Sequence, residues 1–214
     1  MSTAALMAMG GLTEIWPAPN AVMQSGTLSF TGHSTFGDFV GTTTAVSGAL
    51  IGNSELTNAH GWVEAAVSTL NTGNVHRDRD LRSTMDVAQY PTMRFELAGV
   101  TVASPAVSDT VKSALRGALT IHGVTHDVAI PATLIAAADI IDVSGAFPLD
   151  LADYEIDGLT RLFGVLRMKR NIEVRFHLRF RATPRASLRT LSPEKVVRHD
   201  ISDEIGFRLE SHLL

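Results

Sequence analysis

Residues 171–181 alternate polar and apolar side chains without a break over eleven positions. The apolar set is Ile172, Val174, Phe176, Leu178 and Phe180, and the intervening set is Asn171, Glu173, Arg175, His177, Arg179 and Arg181. Successive side chains of a β-strand point to opposite faces of a sheet. This period of two therefore predicts a strand with one face in an apolar core and the other in water, and it favours an all-β fold.

Weaker alternation extends over residues 27–181 and predicts about eight strands. The positions expected to face inward are Leu28, Phe30, Phe36, Val46, Gly48, Leu50, Val63, Ala65, Val67, Met93, Phe95, Leu97, Leu115, Gly117, Leu119, Ile121, Val128, Ile130, Leu134, Ile141, Val143, Phe147 and Leu149. The pair His122-Gly123 is typical of a tight turn. Eight strands with short connections favour a closed antiparallel barrel, whose interior is either filled or able to hold one small ligand.

A charged stretch interrupts the strands and predicts a short helix from Asn74 to about Val87, with Asn71 or Asn74 as its N-cap. The chain then divides into an N-terminal extension (1–26), a barrel (27–181) and a C-terminal tail (182–214). In the tail, residues 192–194 (SPE) could start another short helix.

The charged residues are unevenly distributed along the chain. No Lys or Arg precedes Arg77, whereas residues 161–189 contain nine basic residues and one acid, Glu173. With a net charge of −4, the whole chain gives no reason to expect a nucleic-acid partner. The basic row on the last strand predicts either a transient contact with anionic lipid head groups or an outward strand face that deters edge pairing.

Other features exclude functions rather than indicate them. The chain has no cysteine, which excludes disulfides, thiolate ligands and a Cys nucleophile. No run reaches the roughly 18 apolar residues that a membrane helix needs, so stable membrane insertion is not expected. The N-terminus lacks the basic region of a secretory signal. The compartment is left open: cytoplasmic as the sequence is written, periplasmic or secreted if a signal has been removed.

The residues offer little for catalysis or for metal binding. His122 and His126 would lie about 13 Å apart along one strand, and no third ligand is suitably spaced. Motifs for a nucleophile elbow, a phosphate-binding loop, a dinucleotide site or a zinc protease do not occur. We therefore expect no catalytic residue, no metal and no cofactor.

Several short motifs, which occur in the family's order along the chain, resemble those of the YceI-like family. They are residues 34–41 (STFGDFVG), 46–48 (VSG), 72–74 (TGN), 77–78 (RD), 81–83 (LRS), Pro91, Phe95, 117–125 (GALTIHGVT) and 165–168 (VLRM). The resemblance implies a lipocalin-like barrel that holds a long isoprenoid lipid, such as a polyisoprenoid, a polyprenyl pyrophosphate or a quinone such as ubiquinone. It implies binding, storage or transport rather than catalysis.

On this interpretation the apolar tunnel is lined by Phe30, Phe36, Phe39, Phe95, Leu119, Ile121, Phe147 and Phe176. A polar rim of Arg77, Asp78, Arg82 and Arg170 would receive the head group of the lipid. The first three could instead cap the helix and tie it to the barrel. Arg170 shares the parity of Ile172, so it is expected either to point inward or to sit at a bulge.

Two other classes of function stay open, and so does a homodimer. A stress-related interaction module would have a filled barrel and would use the basic strand or the tail for its contacts. A small barrel enzyme would need a buried cluster, for example an inward Arg170 beside Asp78 or His76.

Overall fold

The computed structural model describes residues 20–35, 37–51, 56–103, 110–156, 160–161, 166–167 and 169–182. Within these ranges the strands are β1 (Asn20–Ser34), β2 (Gly37–Thr43), β3 (Val46–Ile51), β4 (His60–Ala66), β5 (Thr92–Val102), β6 (Thr110–Ile121), β7 (Val124–Ala137), β8 (Ile140–Asp150), β9 (Thr160–Arg161), β10 (Leu166–Arg167) and β11 (Asn171–Ala182). The α-helix is α1 (Val75–Thr84), and 3-10 turns form at Leu56–Asn58, Val67–Thr69 and Leu151–Tyr154.

Eight of these strands close into an antiparallel barrel, which confirms the predicted fold class. Their order around the barrel is β11-β8-β7-β6-β5-β4-β3-β1, and β1 pairs back onto β11. Strand β2 adds to the second half of β1, and β9 pairs with β10 outside the barrel. Closure leaves the barrel strands with partners on both sides, as in other small β-barrels.

A hairpin turn and a helix N-cap that the sequence predicted are both present in the structure. At the turn between β6 and β7, His122 has φ 52° and Gly123 has φ 78°. Two successive left-handed residues define the tight hairpin turn that matches strand twist, and glycine is favoured there. Helix α1 begins after Asn74, whose side-chain oxygen accepts hydrogen bonds from the N–H groups of His76 and Arg77. That is the predicted cap.

The start of the barrel differs from the prediction. Strand β1 begins at Asn20, whereas the alternation in the sequence became visible only near residue 27. A bulge at Gln24 is the cause, because the register of β1 against β11 shifts between Met23 and Ser25. One extra residue reverses which side chains point inward and conceals the period of two. Phe36 and the tail at 182–214, apart from Ala182, lie outside the described residues.

Two clusters of buried residues lie toward the two ends of the barrel. One, called here the Phe180 end, contains Ala21, Leu50, Ala59, Val100, Val111, Leu115, Ile130, Ala132, Leu134, Ile141, Val143, Leu178 and Phe180. The other, the Tyr154 end, contains Phe30, Val67, Leu70, Met85, Leu119, Ile121, Leu149, Leu151, Tyr154, Ile156, Ile172 and Val174. Between them Phe95, Val128 and Phe147 are only partly buried and contact both clusters.

Candidate functional site

An apolar cavity of about 210 Å³ lies inside the barrel. All five inward residues of β11, from Ile172 to Phe180, line it. These two residues are eight positions apart, which corresponds to about 26 Å along a strand. Strands of small barrels tilt by about 40°, so the cavity extends over about 20 Å of the barrel axis. Because this small volume is spread over that length, the cavity is a narrow channel.

The middle of the barrel is hollow. Val63, Phe95 and Leu97 belong to strands β4 and β5 and border the cavity, yet they are only partly buried. Protein interiors are normally packed as densely as organic crystals, so an inward side chain in a filled core has neighbours on every side. Partial exposure of inward side chains therefore requires empty space beside them.

Seven of the eight predicted tunnel residues line this cavity: Phe30, Phe39, Phe95, Leu119, Ile121, Phe147 and Phe176. The eighth, Phe36, lies outside the described residues. The lining at the Tyr154 end also contains residues that were not among those predicted, from the helix and from the turn after β8: Leu81, Thr84, Met85, Leu151 and Ile156. Leu81 and Met85 are four apart and share one helix face. That spacing was the available signal.

Arg77 is the rim residue that reaches the cavity. Its guanidinium carbon lies 4.1 Å from the centre of the Phe39 ring, and Phe39 packs edge-on against Phe30 at 6.0 Å between ring centres. A cation over an aromatic face is favourable and uses none of the five N–H donors of the guanidinium. Arg77 therefore places hydrogen-bond donors next to apolar walls.

Asp78 has a structural role instead. It is buried, and its carboxylate accepts hydrogen bonds from the hydroxyl of Thr72 at 2.6 Å and from the N–H of Thr72 at 2.9 Å. The bond from the Thr72 hydroxyl is the main reason that the pKa of Asp78 lies below its ordinary value, and it outweighs the opposing effect of burial. The side chain of Arg82 donates to the carbonyl of Asp78 at 3.2 Å. These contacts fasten α1 to the preceding loop.

Arg170 does not point into the barrel. It precedes β11 in a bend, its side chain is 63% exposed, and its Nε atom lies 3.9 Å from Asp150 Oδ1. The alternation of β11 cannot be extended back to residue 170, because the strand begins at Asn171. Of the two alternatives predicted for Arg170, the inward one is wrong.

The basic row on β11 is largely neutralised by acids. Arg179 makes two hydrogen bonds to Asp142 on β8, at 2.8 and 2.9 Å. Arg175 pairs with Glu173 at 3.1 Å, and Arg181 lies 3.4 Å from Asp139. These pairs give the outer surface of β8 and β11 little net charge with which to attract anionic lipid.

The two histidines of the β6–β7 hairpin hold the turn after β8. His122 donates to the carbonyl of Tyr154 at 3.3 Å, and His126 donates to the carbonyl of Asp153 at 2.8 Å. Among the described residues no three side chains of the types that ligate metals come together. None of the helices in the described part of the chain has the length and apolarity needed to cross a membrane.

The fold and the cavity together define a class: small, closed antiparallel barrels with an apolar interior. The sequence pattern of the YceI-like domain matches residues 21–180, well over half of the 214 residues. The chain belongs to the YceI-like family, as its motifs indicated. No protein with a curated description matches it.

Solved structures share the fold. A polyisoprenoid binding domain from Saccharophagus degradans superposes with a TM-score of 0.62 at 16% identity, covering 78% of this chain and 99% of that domain. BcnA from Burkholderia cenocepacia gives 0.60 at 15% identity, covering 72% and 95%. The YceI protein of Campylobacter jejuni gives 0.51 at 18%, covering 64% and 81%. At these identities the likeness establishes the fold alone.

Proposed function

We propose that this protein binds one long apolar lipid of the isoprenoid type, a polyprenyl chain or a quinone, inside the barrel. The hollow, apolar middle of a closed barrel carries the proposal. The name of the Saccharophagus degradans domain, which has the same fold, supports the lipid class. The protein acts as a carrier or reservoir and makes no covalent change to the lipid.

The shape of the cavity favours a chain over a compact ligand. Its volume of about 210 Å³ is below the roughly 300–1,000 Å³ of drug-sized pockets, but its length spans the barrel. Each CH₂ group moved from water to an apolar wall contributes about 0.8 kcal/mol. A long tail thus gains affinity along its whole length, while Arg77 offers donors to a head group at the Tyr154 end.

Two alternatives fit the structure less well. An interaction module with a filled barrel is difficult to reconcile with the hollow middle between the two buried clusters. A barrel enzyme would have used an inward Arg170, but the side chain of Arg170 is exposed next to Asp150.

Extraction of lipid from the purified protein, followed by mass spectrometry, tests the proposal. We expect an isoprenoid lipid at up to one molecule per chain. The matched variants are Val63→Trp, which fills the middle of the cavity, and Val22→Trp, which adds the same ring at an outward position that is 59% exposed. Val63→Trp should lose most of the lipid and Val22→Trp should keep it. Equal lipid in both variants, or no lipid even after incubation with prenyl lipids, would contradict the proposal.

A further inference from the structure

Strand β1 loses its pairing with one neighbour over a short stretch. Strand β1 pairs with β3 as far as Val22 opposite Ala49, and it pairs with β2 from Leu28 opposite Thr43. Five residues on each side, 23–27 and 44–48, lie between these points and do not pair with each other. All of them are within the described part of the chain. We call these two facing segments the seam.

The seam keeps its register although it lacks pairs. The number of residues between the flanking pairs is the same on both strands, so β2 and β3 behave as one interrupted strand along β1. Each strand is also irregular here: β1 has its bulge at Gln24, and Thr44 and Ala45 belong to no strand. Two facing irregularities turn the backbone groups out of line, which explains why the ladder stops and then resumes in register.

Side chains close the seam. A Cβ atom placed on Gly26 would lie 2.9 Å from Val46 Cβ and 3.0 Å from Met23 Sδ, and one on Gly48 would lie 2.9 Å from Met23 Cε. Glycine is required at both positions because the backbones and the Met23 side chain approach so closely. The thioether of Met23 thus lies between Gly26 and Gly48, across the seam.

The cavity lies directly behind this closure. Val46 and Leu28 line the cavity, and Leu178, which packs against Gly26, lines it too. On the outside the seam is exposed and uncharged, with Gln24, Ser25, Thr27, Thr44, Ala45 and Ser47 at the surface. Methionine is unbranched and changes conformation readily. Moving Met23 and Val46 would open a path to the cavity without breaking a ladder hydrogen bond.

We infer that the seam is the route by which the apolar ligand enters and leaves the barrel, sideways between β1 and β3, with Met23 and Val46 as the gate. The inference rests on the proposed function and adds an access route to it. A lateral opening lets a lipid tail slide from a membrane or a partner into the channel along its length.

A reversible cross-link tests the route. Because the chain has no cysteine, the double variant Thr27→Cys/Thr44→Cys places the only two thiols on opposite sides of the seam. Loading from phosphatidylcholine vesicles that contain ubiquinone is followed by removing the vesicles at successive times and measuring the ubiquinone that stays with the protein. We expect the oxidised protein to load about tenfold more slowly than the same protein reduced and desalted, with the same final amount of bound ubiquinone. The control Ser144→Cys/His177→Cys joins facing residues of β8 and β11 and should load equally fast in both states.

A second pair of variants gives an answer that does not depend on disulfide formation. Met23→Ala removes the gate, and Val22→Ala shortens the neighbouring side chain, which faces outward and is 59% exposed. Met23→Ala should speed loading and release together, with little change in affinity, whereas Val22→Ala should leave the loading rate unchanged.

Wild-type loading rates in Met23→Ala, or in a verified disulfide across the seam, would overturn the lateral route while leaving lipid binding intact. Absence of loading by the wild-type protein would instead overturn the proposed function, and the route with it.

Discussion

The barrel has two unlike walls. On one side β8 and β11 pair without interruption over eleven residues. Ion pairs such as Arg179–Asp142 lie on their outer surface. On the other side β1 meets β3 over three residues, stops at the seam, and continues with β2; its outer surface at the seam is neutral. The comparison teaches that closure of a barrel does not require equal bonding all round. One wall holds the structure together, and the other is weak enough to open.

The free energy needed to separate the strands is also larger for β8 and β11 than for the seam. A backbone hydrogen bond contributes about 1 kcal/mol net, so separating β8 from β11 would cost on the order of 10 kcal/mol, more than many domains have in total. The seam has no such ladder to break. An opening between β1 and β3 should therefore cost less than one between β8 and β11.

The largest effect is expected from the packed end of the strong wall. Phe180 is 1% exposed, so nearly all of its surface contacts other atoms, and Phe180→Ala should lower the free energy of unfolding by about 3–5 kcal/mol. Phe176 lies four residues earlier on the same face and also borders the cavity, but it is only partly buried. Phe176→Ala should cost clearly less, because part of that ring has no neighbour to lose. Denaturant unfolding of both variants measures this; equal costs would show that the middle is filled.

A smaller difference is expected between the backbone amides of the two walls. Amides that point into the seam, within residues 23–27 and 44–48, lack a ladder partner and should exchange with solvent at least about 100-fold faster than those between β8 and β11. Hydrogen exchange read by NMR measures both sets in one sample. Equal protection would mean that the seam is bonded after all and would remove the contrast between the walls.

The smallest effect concerns the ion pairs on the strong wall. The hydrogen bonds from Arg179 are the main cause that lowers the pKa of Asp142 below its ordinary value. The folded state therefore binds fewer protons than the unfolded state. The pair's contribution to the free energy of unfolding is present above the unfolded pKa of about 3.9 and is lost as the pH falls through the folded pKa. Asp142→Asn should reduce stability by about 0.5–1 kcal/mol at neutral pH, since the pair is partly exposed. The difference from wild type should shrink as the pH falls below the unfolded pKa and should disappear below the folded pKa. A difference independent of pH would show that packing, not charge, is responsible.

Much of the fold was predictable because the informative residues follow local rules. The alternation on β11, the His122-Gly123 turn and the Asn74 cap each depend on neighbours in sequence, and the structure confirms all three. The apolar residues predicted to line a tunnel lie on the cavity for the same reason, since alternation alone determines which way they point.

The rest depended on contacts between distant residues. Asp78 was a candidate for the rim, but its partner Thr72 could be recognised only once the loop was folded against α1. Arg170 was misplaced because a strand boundary, not its parity, determines its exposure. The seam was invisible because the bulge at Gln24 disguises the start of β1, and a missing ladder leaves no trace in composition.

The central claim is that the hollow middle of the barrel holds a single lipid tail. Native mass spectrometry of the delipidated protein, incubated with increasing amounts of ubiquinone, tests it most directly. We expect one ubiquinone molecule bound per chain, with no further binding at higher lipid concentrations. Binding of two, three and more ubiquinone molecules per chain as the lipid concentration rises, which is typical of adsorption to the surface, would contradict it. The absence of any bound ubiquinone would contradict it as well.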